Sequence, residues 1–253
     1  MTFGSLFAGI GGMDLGLERA GMECRWQVEI DPFCRKVLAK HWPNVKRYED
    51  IRTVDWREVE RVDLIAGGFP CQDISNAGKR VGIGGERSGL WSEFARAVCA
   101  LRPRVVLVEN VAALRQRGIG RVLGDLAESG YHAWTDGLPA AAFGASHERD
   151  RVFIVAYARG SGLSTRRLVS LCAESIFAMP AGRCSDAFPA CRTHDQRAWE
   201  ERRLVESPMG AASDGISGRL VRSRGRDAIR AAGNAVVPQV AEWIGRRILE
   251  APA

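Results

Sequence analysis

The 253-residue chain has almost no lysine: only four of its 36 basic residues are lysine, leaving 32 arginines against 30 acids. It lacks any run of about 18 apolar residues, so no membrane-crossing helix is expected. No basic region precedes an apolar run at the start, so a secretory signal is not expected either, and a cytoplasmic setting is. Neither internal repeats nor low-complexity tracts occur. Hydrophobic residues at 46% and charged residues at 26% exclude a disordered, collagen-like or coiled-coil chain. What remains is a globular protein of one or two domains, long enough to bury a sizeable core.

There is also no C-x-x-C pair. The seven cysteines are odd in number and scattered, which points to reduced thiols. Cys172, Cys184, Cys191 and His194 fall close together, but without a paired spacing they do not read as a zinc site, and no metal is expected. Codon preference accounts for arginine over lysine as well as chemistry does. Position is more informative. Residues 159–230 hold 13 arginines and eight acids, so five of the six net positive charges lie there. A guanidinium fork suits phosphate, and a concentrated surplus points to a polyanionic partner.

Apolar runs alternate with helical patterns in the first part. Strands are predicted at 2–8, 25–30, 63–66, 105–108 and 151–156. Helices are predicted at 12–20, 32–41, 92–101 and 120–129. This alternation predicts an α/β fold with a mostly parallel, doubly wound sheet. The pattern breaks near Ala158 and resumes at Gly233, where Pro238 opens a helix with Val240, Ala241, Ile244 and Ile248 on one stripe. Three parts follow: an α/β domain at 1–158, a small second domain or elaborated loop region at 159–230, and a segment at 231–253 whose helix docks back on the first domain.

Five motifs carry chemistry. Phe7-Ala8-Gly9-Ile10-Gly11-Gly12 follows the first strand and opens a helix, although the full G-x-G-x-x-G pattern is missing. Such glycines let backbone approach a ligand at the carboxyl end of a parallel strand. Glu29, at the end of the second strand, suits ribose hydroxyls, and Asp50-Ile51 suits an adenine. Gly67-Gly68-Phe69-Pro70-Cys71-Gln72 puts a thiol at the same edge of the sheet, as a nucleophile or a buried structural cysteine. A glycine-rich stretch with Ser75, Lys79, Arg80 and Arg87 follows, in the manner of a mobile lid or a solvated loop. Glu109-Asn110-Val111 places a carboxyl at the end of a buried strand, where it can hold a proton and act as an acid or hydrogen-bond partner. His147, Arg149 and Arg151 alternate onto one face of the late strand. Gly233-Asn234-Ala235-Val236-Val237-Pro238 precedes the last helix.

Taken in this order, F-A-G-I-G-G, G-G-F-P-C-Q, E-N-V, R-x-R and G-N-A-V-V-P resemble the DNA (cytosine-5) methyltransferase family over residues 1–158 and 207–250. The compact ending is similar to short phage- or prophage-encoded members. The resemblance implies a Rossmann-like fold that uses S-adenosylmethionine, with a catalytic, cofactor-binding role for 1–158 and target recognition for the small irregular region at 159–230. It implies Cys71 as nucleophile toward carbon 6 of a flipped-out cytosine, Glu109 at the ring nitrogen and exocyclic amine, and Arg151 supported by Arg149 near the base carbonyl. It further implies cofactor contacts from Phe7, Ala8, Gly9, Gly11, Glu29, Asp50, Ile51, Gly68, Pro70, Leu90, Asn234 and Val236. DNA contacts are expected from Gln72, Ser75, Lys79, Arg80 and Arg87, and in the recognition region from Arg166 and Arg167, with Arg202 and Arg203 as further candidates. Double-stranded DNA is the expected partner, a cognate restriction endonuclease a companion, and a monomer the expected state. His147 stands where the family usually has Gln, and the Arg- and Gln-rich motif before G-N-A-V-V-P is not recognisable. A transfer-RNA cytosine methyltransferase and a catalytically inactive DNA-binding relative remain as alternatives; a nicotinamide oxidoreductase fits less well.

Overall fold

The computed structural model describes residues 1–70, 89–143, 150–160 and 226–250. Among them, seven strands form one sheet in the order β3-β2-β1-β4-β5-β7-β6. The strands are β1 (Thr2–Leu6), β2 (Glu23–Val28), β3 (Lys46–Tyr48), β4 (Leu64–Gly67), β5 (Val105–Val111), β6 (Tyr131–Pro139) and β7 (Asp150–Ala158). The first five run parallel. The helices are α1 (Gly12–Arg19), α2 (Pro32–His41), α3 (Leu90–Leu101), α4 (Leu114–Arg117), α5 (Ile119–Glu128), α6 (Arg226–Asn234) and α7 (Pro238–Glu250).

The central strands are apolar on both faces because helices cover both, as a doubly wound sheet requires. On one face Phe3, Leu64, Leu107 and Val155 pack against Met13 and Leu17 of α1 and Val240 and Ile244 of α7. On the other, Leu6, Ile65, Val106 and Ile154 pack against Phe94 and Val98 of α3 and Val122 of α5. The stripe foreseen on the last helix is buried: Val240, Ala241, Ile244 and Ile248 are all at most 3% exposed.

Three features depart from the sequence reading. The edge strand β6 carries no alternation, and its Gly137 and Pro139 argue against a strand; proline is tolerated there because an edge has no further partner to bond. The late strand β7 runs antiparallel to both neighbours. Only ten residues link β6 to β7, too few for the helical crossover that parallel pairing needs. Third, α6 begins at Arg226, ahead of the resumption foreseen at Gly233. Its Ala231 and Ala232, with Ala235 just after it, pack with Ile10 and Cys34, against the glycine loop and α2.

Close backbone approach explains two glycines of α1. A Cβ at Gly12 would lie 2.3 Å from the carbonyl oxygen of Val236. One at Gly16 would lie 2.3 Å from that of Pro238 and 2.5 Å from Cβ of Ala241. The start of α7 is therefore seated directly on α1. Gly16→Ala is expected to cost about 1–3 kcal/mol through overpacking and to lower the thermal midpoint by about 3–10 °C, measured by calorimetry.

Candidate active site

After β1 the chain curls sharply. Phe7, Gly9 and Gly11 all have positive φ, at 55°, 57° and 83°. Phe7 bears a side chain in a region that costs such residues energy, which marks a loop held by its surroundings. The curl brings the Gly9 N–H to Glu29, donating to Oε2 at 2.7 Å, while the Ala8 N–H donates to Val28 O at 3.1 Å. Glu29 Oε1 accepts from the Asp31 N–H at 2.8 Å. Burial raises the Glu29 carboxyl above its ordinary pKa, and the Asp31 and Gly9 amides oppose that rise. Each carboxylate oxygen keeps a lone pair for a further donor.

Asp50 caps the 3-10 turn at Ile51–Thr53, accepting from the Arg52 N–H at 3.0 Å. Its carboxylate also pairs with the Arg52 guanidinium at 2.6 Å, and that hydrogen bond holds it below the usual carboxylate range. Ile51 is 3% exposed, yet it reaches the same cavity. Ile30 was not foreseen. It is 58% exposed, an unusual state for isoleucine, and it lines the cavity beside Glu29.

The thiol's approach is built from β4 and β5, with Gly67 opposite Val108 in the parallel register. A Cβ at Gly68 would lie 2.6 Å from Glu109 Oε2, so only glycine lets the carboxylate rest against that backbone. Asn110 is 2% exposed and donates through Nδ2 to Phe69 O at 3.1 Å, while its Oδ1 accepts from the Val111 N–H. It thus anchors the peptide that leads into Pro70. Phe69 also packs on Trp91 of α3, with ring centroids 5.4 Å apart.

Arg151 comes from β7. The register sets Phe153 opposite Glu109 and Arg151 opposite Val111, which makes Arg151 a diagonal neighbour of Glu109 on one face. Its Nε lies 2.9 Å from Glu109 Oε1. Glu109 is 8% exposed, so this pair is largely screened from water.

These pieces line one cavity of about 820 Å³ at the carboxyl edge of the parallel strands. Of the positions expected to hold cofactor, Phe7, Ala8, Gly9, Glu29, Asp50, Ile51, Gly68, Pro70, Leu90, Asn234 and Val236 line it. Gly11 does not. It is the N-cap of α1, with Trp42 filling the space a Cβ would need, so its glycine is required for the turn. Arg230 on α6 is an addition; it lines the cavity and pairs with Asp31 at 2.7 Å, and Asp31 also caps α2. No local pattern signals that pair, whose partners are far apart in the chain.

Cys71, Gln72, Ser75, Lys79, Arg80, Arg87, His147, Arg149, Arg166, Arg167, Arg202 and Arg203 lie outside the described residues, as do Cys172, Cys184, Cys191 and His194. Among the described residues, no three His, Cys, Asp or Glu side chains group as metal ligands, and no helix is long and apolar enough to cross a membrane.

Comparison with known proteins gives consistent relatives. The family model for C-5 cytosine-specific DNA methylases matches residues 1–189. Type II methyltransferase M2.BsuMI of Bacillus subtilis (strain 168) is 39% identical over 160 residues, which is 60% of this chain and 41% of that protein. Type II methyltransferase M.Eco47II of Escherichia coli is 40% identical over 158 residues, 60% of this chain and 38% of that one. The chain thus matches less than half the length of these relatives. A crystal structure from E. coli, assigned as a prophage-encoded DNA modification methyltransferase, shares the fold across 99% of both chains, with a TM-score of 0.66 and 19% identity. The family-model match takes in the glycine loop, Glu29, the β4 edge and the Glu109–Arg151 pair, and on that ground the chain belongs to the C-5 cytosine-specific DNA methylase family.

Proposed function

We propose that the chain transfers a methyl group from S-adenosylmethionine to carbon 5 of cytosine in duplex DNA. The Glu109–Arg151 pair carries this reading, because it stands on the wall of a cavity whose opposite wall is the glycine loop and Glu29. The residues present fit the donor. Glu29 has lone pairs left for ribose hydroxyls, Ile30 and Ile51 offer apolar surface to a purine, and the 8–9 backbone lies open to the amino-acid end.

When bound, S-adenosylmethionine supplies an electrophilic methyl group. The chain's own residues prepare the base. Cys71, as thiolate, forms a bond to carbon 6 and drives negative charge into the ring. Glu109, carrying a proton, donates to the ring nitrogen and accepts from the exocyclic amine, which stabilises that charge. Arg151 holds the Glu109 carboxyl in place and faces the base carbonyl with support from Arg149. Once carbon 5 has taken the methyl group, loss of its proton allows elimination of Cys71, which restores the ring double bond and returns the thiolate. Carbon 5 is the methylated atom of a stacked base, so the cytosine must leave the duplex to reach the cavity. Gln72, Ser75, Lys79, Arg80 and Arg87 would meet the DNA beside it, and Arg166 and Arg167 would meet phosphates. The chain would act as a monomer, with a restriction endonuclease of the same specificity as its companion.

The decisive experiment supplies methyl-labelled donor with duplex DNA and, separately, with transfer RNA. Label in DNA alone is expected; label in transfer RNA, or in neither, overturns the reading. Bisulfite sequencing of the methylated DNA then gives the target. Replacing Arg166 and Arg167 by Gln is expected to lower the slope of log K against log salt by about 2, at roughly 0.9 per phosphate contact. An unchanged slope, measured by fluorescence anisotropy, would remove this pair from the DNA footprint.

A further inference from the structure

Beneath the glycine loop lies a polar cluster that no motif covers. Asp14 on α1 and Gln27 on β2 are 0% exposed, and Ser5 on β1 is 1% exposed. Ser5 Oγ donates to Asp14 Oδ1 at 2.6 Å, and Gln27 Nε2 donates to Asp14 Oδ2 at 2.7 Å. Among the described residues no cation pairs with Asp14. An unpaired carboxylate in a core is costly, and an apolar side chain would fill the place at no such cost.

The register suggests what the carboxylate does. Ser5 and Gln27 are directly opposed across the β1–β2 ladder. The ladder is irregular just before them, with a shift between Phe3 and Gly4. Backbone pairing alone therefore pins the two strands less firmly at this point than a regular ladder would. Beyond the opposed pair the same strands deliver Phe7, Ala8 and Gly9 on one side and Glu29 on the other, and the Gly9–Glu29 hydrogen bond joins them at the cavity. Ser5 itself lines the cavity.

We infer that Asp14 is a positioning residue for the cofactor cradle, clamping Ser5 and Gln27 so that the carboxyl ends of β1 and β2 present the glycine loop and Glu29 in register. The inference rests on the reading that this cavity takes S-adenosylmethionine. Accepting from both partners requires the ionised carboxylate. Burial lifts the Asp14 carboxyl to about 6, against the hydrogen bonds from Ser5 and Gln27 that lower it, and Glu18 one turn along α1 adds to the rise. From β2, the buried Cys24 thiol is pushed far up and stays neutral. From α7, Glu242 is paired with Arg246. Gln27 Oε1 is buried without a partner, so a protonated Asp14 can donate to it once the amide turns over. That second arrangement gives up the clamp on the Gln27 amine.

The test compares wild type with Asp14→Asn, which keeps the shape and removes the charge. S-adenosylhomocysteine binding is followed by calorimetry from pH 5 to 8.5, alongside thermal melting of the unliganded proteins. Asp14→Asn is expected to bind about tenfold more weakly at pH 8, the scale of one misdirected buried hydrogen bond. It should also melt no lower than wild type there, because an ionised buried carboxylate is gone. Wild-type affinity should fall as pH drops through about 6, and the variant should lack that inflection. Glu29 titrates in both proteins, so the difference between the profiles isolates Asp14. Ser5→Ala gives an independent reading: losing one donor should weaken binding about threefold and move the inflection to higher pH. Affinity within twofold of wild type at pH 8, profiles of wild type and Asp14→Asn that run parallel across the pH range, or a difference between them that Ser5→Ala does not move, overturns the inference. Failure of wild type itself to bind the nucleoside overturns the functional reading as well.

Discussion

Cys71→Ala is expected to reduce methyl transfer to DNA to background, a loss of at least about 10⁴-fold, since alanine offers no nucleophile in place of the thiolate. S-adenosylhomocysteine affinity should stay within about twofold, because the cavity walls at Gly68, Pro70 and Leu90 are unchanged. The expectation draws on how the approach to this residue is built. The preceding backbone is fastened by Asn110 Nδ2 on the Phe69 carbonyl, and at Gly68 it passes close against the Glu109 carboxylate. Pro70 then fixes one backbone angle immediately before the thiol. Duplex DNA carrying 5-fluorocytosine gives a second readout. Fluorine at carbon 5 cannot leave as a proton does, so the wild-type adduct should persist through denaturing electrophoresis while the variant forms none. Turnover above one-tenth of wild type would remove Cys71 from the role of nucleophile.

Glu109→Gln should lower kcat/KM for DNA by about 10²–10³, the range seen when one group that stabilises developing charge is lost. Two effects combine. The amide cannot pass a proton to the ring nitrogen, and it leaves the Arg151 guanidinium without its charged partner at 2.9 Å. Arg151 is then a cation in a largely screened site, free to swing toward the base or away from it. Cofactor affinity should change by less than about threefold, since Glu29 and the glycine loop lie across the cavity. A loss below fivefold would mean that the carboxyl is not engaged with the reacting base.

Much of this arrangement was legible because local chemistry and tertiary role coincide. The V-V-L-V run of β5 reads as a strand buried on both faces, and helices do cover both. The Val240, Ala241, Ile244 and Ile248 stripe reads as a docking face, and α7 docks. Glu29 and Gly68 follow strand ends and Glu109 lies near the carboxyl end of β5, and the carboxyl ends of parallel strands converge on one edge. Other parts depend on partners that a local pattern does not contain. The strand character of β6 comes from its pairing with β7 over Tyr131–Pro139, not from its own alternation. Gly11 reads as a ligand contact within its motif, but Trp42 and a left-handed turn decide its place. Ile30 looks like a strand residue until the chain turns it outward at the cavity rim. The Ser5–Asp14–Gln27 cluster joins three elements, and each member alone looks like a surface polar residue.

The seating of α7 on α1 has a consequence for how the molecule comes into being. Ribosomes deliver the glycine loop, Glu29 and the Glu109 strand first, and Asn234 and Val236 only after a further hundred residues or so. Until the late helix emerges and settles on Gly12 and Gly16, the wall that Asn234 and Val236 supply is missing and much of the apolar surface of α1 is bare. A growing chain therefore cannot assemble the complete cavity from its first elements alone, and the cavity closes only once the α7 segment has followed them.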